Sequence, residues 1–401
     1  MGCRTGRNMN IVESVACHVC GSGNLEVVFD TPNLPLTGIY LDSKVESVLP
    51  TFDQSFMYCM ECGHGQVRNL IDPAVLYDDT YTHRTSTSAI ATSGNDFFYQ
   101  QLLQVTGGRK FKSLLEIGCN DLYLMKKVQD LADHLVGIDP IWVGKDQDLN
   151  DKTRILGRFI EEIQVGEDIT EKPDIILSAH TFEHIQDLYG QLLTLVELAA
   201  DGCLFVIEVP SLDRMVDQRR FDQVFHQHIN YTSLSSMRRL VSRLGCTFLG
   251  NTFNYGYWGG TFMFWFEKSG KDDEVGMVGF EASNIDEIKS DFREFQKVLG
   301  ASISQAEKLP EKCYGFGAAQ MLPVLAYHME SDLGFMDAIL DDNPDRHLTY
   351  LPGVKPLIRK PEPGEMGSAA VMITALDSSR SILSRLIKDK PRRILYPIQC
   401  F

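Results

Sequence analysis

Through the middle of the chain, short apolar runs alternate with longer stretches in which apolar side chains recur every three or four positions. The runs Ser113–Ile117, His134–Ile138, Arg154–Leu156, Pro173–Leu177 and Cys203–Ile207 predict five strands, and Glu208–Pro210 is expected to break away from the last. Helical spacing predicts helices at Ser93–Val105, Tyr123–Leu131, Leu188–Ala200 and Leu234–Leu244. Thr247–Leu249 and Gly260–Phe266 read as two antiparallel strands. Strand and helix alternating in this way predict an α/β doubly wound sheet. Lys268–Val278 is charged and reads as a boundary, and Ile285–Leu309 as a long amphipathic connector. Beyond it the pattern resumes on a smaller scale, with strands at Cys313–Gly315, Phe335–Leu340, Val371–Ala375 and Arg393–Tyr396. Upstream, Pro32, Pro35 and Pro50 lie in a segment that reads as irregular structure with a few short strands.

At 401 residues the chain is too long for one core, and the pattern divides it into 11–70, 71–268 and 285–401. A net charge of −16 argues against binding nucleic acid or an anionic membrane surface. No apolar run approaches the roughly 20 residues that span a bilayer. The expectation is a cytoplasmic protein, a monomer or weak dimer, whose partner is a small molecule. Its ten cysteines are then thiols.

Four of those thiols fall in two C-x2-C knuckles, Cys17/Cys20 and Cys59/Cys62, separated by 38 residues. That spacing suits a closed tetrahedral zinc site of the structural kind. Gly21 and Gly63 follow the knuckles, where glycine lets the backbone fold back. His18 and His64 are further donors that such a site does not need.

A second signal lies at the end of the first central strand, in Glu116-Ile-Gly118-Cys-Asn120-Asp121. Gly118 allows close backbone approach to a ligand, and Asp139, 21 residues on at the tip of the next strand, suits the hydroxyls of a ribose. Phe159 follows the third strand, near the place of an adenine, and His180 follows the fourth. The third signal is Phe225-His226-Gln227-His228, closed by Tyr231, where imidazoles beyond a strand end suit proton transfer. Tyr81 to Ser86 is a polar loop with the character of a lid.

Taken in order, these motifs resemble the three-domain sugar C-methyltransferases, which act on nucleotide-linked 4-keto-deoxyhexoses. The resemblance rests on the cysteine knuckles, E-I-G-x-N-D at 116–121, E-V-P at 208–210 and F-D-x-x-x-H-x-H at 221–228. It continues in Gly259-Gly260, G-x-G-A-A at 315–319, D-D-N-P at 341–344 and Leu351-Pro-Gly353. It implies a class I methyltransferase Rossmann-like sheet between a small zinc-binding domain and a smaller C-terminal α/β domain. It implies S-adenosylmethionine (SAM) as cofactor, at Glu116, Gly118, Asn120, Asp139, Phe159 and His180. His228 would be the general base, with His226 and Tyr231 beside it. Tyr81, His83, Phe225, Gln227, Trp258 and Gly260 would line the substrate pocket.

The chain departs from that family where Phe225 replaces a tyrosine, Gln227 a glutamate, Trp258 a histidine and Met263 an arginine. Three readings follow: carbon methylation beside a ketone, methylation of oxygen or nitrogen on another substrate, and a non-catalytic zinc-bearing scaffold.

Overall fold

A computed structural model describes residues 11–42, 49–72, 76, 84–164, 166–270 and 284–398. Tyr81 and His83 lie outside the described residues.

In the N-terminal region β1 (Ile11–Glu13) pairs with β5 (Asn69–Ile71). Between them β2 (Leu25–Pro35), β3 (Thr51–Cys59) and β4 (Gly65–Val67) form an antiparallel sheet. These strands are longer than the sequence pattern suggests. Register shifts at Val27/Phe29 and Thr31/Leu34 interrupt the alternation in β2, which hides its period of two.

The knuckles sit at one end of this sheet. Cys17 Sγ lies 3.6 Å from Cys62 Sγ, and Cys20 Sγ lies 3.5 Å from Cys59 Sγ. A tetrahedral zinc thiolate, with bonds of about 2.3 Å, spaces its sulfurs by about 3.8 Å, so the four thiols fit that ion. Gly21 and Gly63 are both left-handed, at φ 76° and 70°, and their amides donate to Cys17 O and Cys59 O. His18 and His64 turn away from the sulfurs and meet the side-chain oxygen of Asn230, at 2.9 and 3.2 Å.

The central sheet contains β6 (Phe111–Ile117), β7 (Ala132–Ile138), β8 (Gln147–Asn150), β9 (Thr153–Leu156), β10 (Ile175–Ala179) and β11 (Leu204–Pro210). The short β12 (Asn230–Tyr231) comes before β13 (Cys246–Asn254) and β14 (Thr261–Lys268). The strand order is β13-β14-β11-β10-β6-β7-β9-β8. β9, β7, β6, β10 and β11 run parallel, and β14 is inserted antiparallel between β11 and β13. Chain order reverses between β6 and β10, which opens a crevice at their carboxyl ends. β8 has no counterpart among the expected strands because all four of its residues are exposed and carry no apolar signal.

Glu208–Pro210 does not break away. These residues complete β11, facing Met263, Phe262 and Thr261 of β14. Proline is tolerated as the strand's last residue, and the chain leaves only at Ser211, which caps the helix Leu212–Asp217.

β12 is absent from the central sheet. It pairs with β4, Asn230 opposite Gln66 and Tyr231 opposite Gly65, so the segment after His228 belongs to the N-terminal sheet. The long helix Ile285–Ala306 is more than a connector. It buries Phe292 against Phe29 of β2, the rings stacked at 3.8 Å. The same core continues into the C-terminal region through Leu322, Ile339 and Leu351.

There β15 (Cys313–Phe316), β16 (Ala338–Leu340), β17 (Ile358–Arg359), β18 (Ala370–Ile373) and β19 (Arg393–Leu395) form a parallel sheet in the order β17-β16-β15-β18-β19. The acid at its crevice, Asp341, accepts from Ala318 N and Asn343 N and pairs with Arg346. Tyr40 of the N-terminal region closes over this turn by donating to Ala318 O.

Because knuckle and central sheet share one apolar cluster, zinc stability should be protein stability. Cys62→Ser, measured on the full chain, should lower bound zinc in elemental analysis and reduce Tm by about 10 °C. An unchanged melting curve would leave the cysteines without a structural ion.

Candidate active site

Strand β6 delivers Gly118 to the crevice at φ 78°, where an added Cβ would fall 1.9 Å from Thr181 Oγ1. Only glycine fits there. Asn120, also left-handed, donates its amide to Asp139 Oδ2 at 2.8 Å. Asp139 Oδ1 accepts from Ile141 N at 2.9 Å. The side-chain oxygen of Asn120 holds Thr85 N and Asp121 N, and Ser86 bonds Asp121, so the loop before the first central helix is clamped to this turn.

Beneath the turn lies Glu116. It is buried, its Oε2 has no partner among the described residues, and burial together with the Asp139 charge pushes its carboxyl up to about 8. A buried carboxyl with an open oxygen beside a glycine turn fits a ligand carrying donors, as SAM does. Glu116, Gly118, Asn120 and Asp139 thus come together. Phe159 stands apart, 37% exposed, at the start of a short turn after β9.

On the other side of the crevice the residues around His228 separate. His226 enters the N-terminal sheet, its Nε2 donating to Leu34 O at 3.1 Å and its ring edge-on to Phe52. Burial lowers it to about 4. Tyr231 donates to Gln223 O and accepts from Phe225 N, both at 3.1 Å, so its hydroxyl braces the loop. The Gln227 side chain pairs with Thr37, accepting from its hydroxyl at 3.0 Å and donating to its carbonyl at 3.3 Å. Phe225 is buried with Leu34, Met321 and Val324, placing C-terminal residues near the site.

His228 itself forms no hydrogen bond among the described residues. Its ring is packed by Phe225 at 4.2 Å, His184 at 4.9 Å and Trp258 at 5.4 Å. Burial and the neighbouring His184 hold its pKa well below 6.5, so the ring is a neutral acceptor near pH 7. Trp258 adopts φ 49°, and its carbonyl accepts from Gln223 Nε2 at 2.9 Å. Gly260 is likewise at φ 135°, where a Cβ would press on Arg214 at 2.9 Å.

Sequence reasoning assigned no role to Glu183 and His184, although both stand directly after β10. Glu183 is 1% exposed and lies among three histidines. Its Oε1 is 3.2 Å from His180 Nδ1 and 3.9 Å from His184 Nε2. His184 Nδ1 lies 2.7 Å from Gln227 O; a carbonyl only accepts, so that nitrogen carries the hydrogen. Burial alone would raise the Glu183 carboxyl, but the His180 hydrogen bond and the facing imidazoles hold it near 2. Glu183, His184 and His228 each offer a donor atom within 4.8 Å of the others, a set that could also hold a metal ion. The available signal was a carboxylate three residues beyond a strand-end histidine, one turn away on the same side.

Parts of the chain are similar to known proteins. Residues 95–249 match a family model described as "Methyltransferase domain", and residues 17–77 match one described as "Putative zinc binding domain". With the inserted antiparallel strand and the glycine turn, the central region is a class I SAM-dependent methyltransferase fold. The chain is 26% identical over 235 residues to the C-methyltransferase NovU of Streptomyces niveus, covering 57% of this chain. It spans about half (55%) of the length of that curated relative. Solved structures similar to it include the N-methyltransferase NodS of Bradyrhizobium japonicum with S-adenosylhomocysteine bound, at 16% identity. That match covers 43% of this chain and 85% of that one, with a TM-score of 0.34. Another is the magnesium protoporphyrin IX methyltransferase of Synechocystis with bound SAM, at 10% identity, 44% and 79% coverage, and a TM-score of 0.33.

Asp139→Ala should weaken S-adenosylhomocysteine binding about 10-fold or more by calorimetry, because two backbone amides of the turn lose their acceptor. An affinity equal to wild type would place the cofactor elsewhere.

Proposed function

We propose that the protein is a SAM-dependent C-methyltransferase acting on the carbon beside a ketone, with a nucleotide-linked deoxy sugar as the substrate class. The observation that carries the reading is His228: a buried, neutral imidazole with no hydrogen bond among the described residues, near the crevice on the side of β10 and β11. Such a ring can take a proton from a carbon acid without first giving up a partner. The relative NovU, named a C-methyltransferase, supports carbon as the acceptor, and the ordered sequence motifs support the sugar.

His228 removes the α-proton, and the C–H electron pair moves toward the carbonyl oxygen as an enolate. Bound SAM supplies the methyl group that the enolate carbon takes, leaving S-adenosylhomocysteine as the thioether. Phe225, Trp258 and the base of the loop keep water from the carbanion. The four cysteines would hold zinc away from these steps, where it would fix the N-terminal sheet on which β12 rests. Thr37 and Gln227 orient the base by fixing the loop rather than by charge.

The test uses a nucleoside-diphosphate 4-keto-deoxyhexose in deuterium oxide with S-adenosylhomocysteine bound. Wild type should exchange the α-proton; His228→Ala should lose exchange and methyl transfer by about 10³-fold while keeping cofactor affinity within about 2-fold. Turnover surviving in the variant removes His228 as base, and a methyl group found on oxygen or nitrogen removes carbon as acceptor.

A further inference from the structure

Two segments distant in the chain meet beyond β10: the turn Phe182–His184 and the bend that carries His228. Hydrogen bonds of backbone and side chain lock them together. The Ile229 amide donates to Glu183 O at 2.7 Å, and His184 Nδ1 donates to Gln227 O at 2.7 Å. Asn230 Nδ2 donates to Phe182 O and Ile185 O.

Between these segments the geometry points to a second metal site, in which Glu183, His184 and His228 hold a divalent transition cation that shuts off the base. The shut-off rests on the C-methylation reading; the binding does not.

Three observations carry it. The first is spacing. One donor atom from each residue lies within 4.8 Å of the other two. A tetrahedral ion with bonds of about 2.1 Å spaces its donors by about 3.4 Å, so the set closes on an ion by drawing in about 1 Å. The second is orientation. The carbonyl of Gln227 occupies His184 Nδ1, so the neutral ring presents the lone pair of Nε2, which lies 3.9 Å from Glu183 Oε1. A carbonyl on the far nitrogen is the usual outer partner of a metal-bound imidazole. Glu183 is oriented in the same way, since His180 Nδ1 sits 3.2 Å from its Oε1.

The third observation is what these bonds leave over. Glu183 is 1% exposed, and its Oε2 has no partner among the described residues. His228 is 4% exposed and forms no hydrogen bond among them. Buried polar atoms are almost always bonded, and a cation would satisfy both groups at once. The His184 side chain keeps 26% of its surface exposed, which gives the ion a way in.

The donor set selects the ion. Mg²⁺ and Ca²⁺ prefer oxygen ligands throughout, whereas two imidazoles and one carboxylate suit Zn²⁺, Co²⁺ or Fe²⁺. Three protein ligands leave a position for water or a substrate oxygen. The cysteine site differs in both respects, being all sulfur and closed.

A neutral imidazole has one acceptor nitrogen. His228 would use it either to take the α-proton or to bind the cation, so the two exclude each other. No covalent bond changes: the cation stands where the proton would go, and its departure returns the base.

The experiment uses the full-length protein with Zn²⁺ on its cysteines, titrated with CoCl₂. Calorimetry should find one further Co²⁺ per chain. X-ray absorption of this unmutated protein should show nitrogen and oxygen neighbours at the cobalt edge and sulfur at the zinc edge. Glu183→Gln and His184→Gln should each weaken Co²⁺ binding about 100-fold. His134→Gln, which removes an exposed imidazole, should bind Co²⁺ as wild type does. With S-adenosylhomocysteine bound, saturating Co²⁺ should slow α-proton exchange of the keto sugar about 100-fold. Half of that effect should fall at the concentration that half-fills the site, and gel filtration should restore the rate.

No further equivalent bound, sulfur neighbours at the cobalt edge, or undiminished binding in either Glu183→Gln or His184→Gln overturns the site. Co²⁺ held by nitrogen and oxygen while exchange continues at the cobalt-free rate or faster overturns the shut-off. A wild-type protein that exchanges no α-proton before Co²⁺ is added defeats the C-methylation reading, and the cobalt edge still decides the site.

Discussion

The side chain of Asn230 is the point on which the site depends. Its oxygen meets His18 and His64 of the two knuckles, and its nitrogen donates to Phe182 O at 3.2 Å and Ile185 O at 2.7 Å. One buried amide therefore ties the zinc-binding region to the loop that carries Glu183 and His184. Every polar atom of that amide is used, which gives the contact its geometric specificity. The backbone of Asn230 adds a second tie, since β12 is a strand of the N-terminal sheet. The segment that carries His228 thus starts from the central sheet and is anchored on a neighbouring one.

That anchoring explains why the zinc-binding region cannot be an accessory. Thr37, Leu34 and Gln54, all from or near β2 and β3, orient Gln227 and His226 on either side of the bend that presents His228. A glutamate in place of Gln227 would meet the Thr37 carbonyl with an oxygen instead of a donor, so the amide suits this loop as it stands. The C-terminal region contributes through Asp377, which pairs with the buried Arg220 at 3.0 Å and contacts Gln223, the residue that holds Trp258. All three regions converge on the loop from 220 to 231.

Around that loop the charges form one set. Glu183 keeps a carboxylate in a dry place because imidazoles surround it, while Glu208, hydrogen-bonded by Thr261, is pushed up by burial. The same burial that neutralises His228 would neutralise His180 if Glu183 were not in contact with it. The two histidines differ by the Glu183 hydrogen bond to His180 and by the charges around each ring, Glu183 and Glu208 beside His180 and His184 beside His228.

The parallel strands, the cysteine knuckles, Gly118 and Asp139 were legible in the sequence because each depends on local rules: apolar runs, ligand spacing, and a turn that admits only glycine. The alternation was unreadable in β2, where bulges break it, and in β8, which buries nothing. Glu208–Pro210 was misjudged because proline reads as a breaker until the partner strand is known. The sequence by itself determined the α/β class, the glycine turn after β6 and the pairing of the cysteine knuckles. Only the tertiary structure decided that β12 pairs outside the central sheet, that His226 and Tyr231 brace while His228 forms no hydrogen bond among the described residues, and that Glu183 joins His180 and His184. Those outcomes depend on contacts between residues up to 212 positions apart, such as His18 with Asn230, and no local pattern encodes a hydrogen bond of that span.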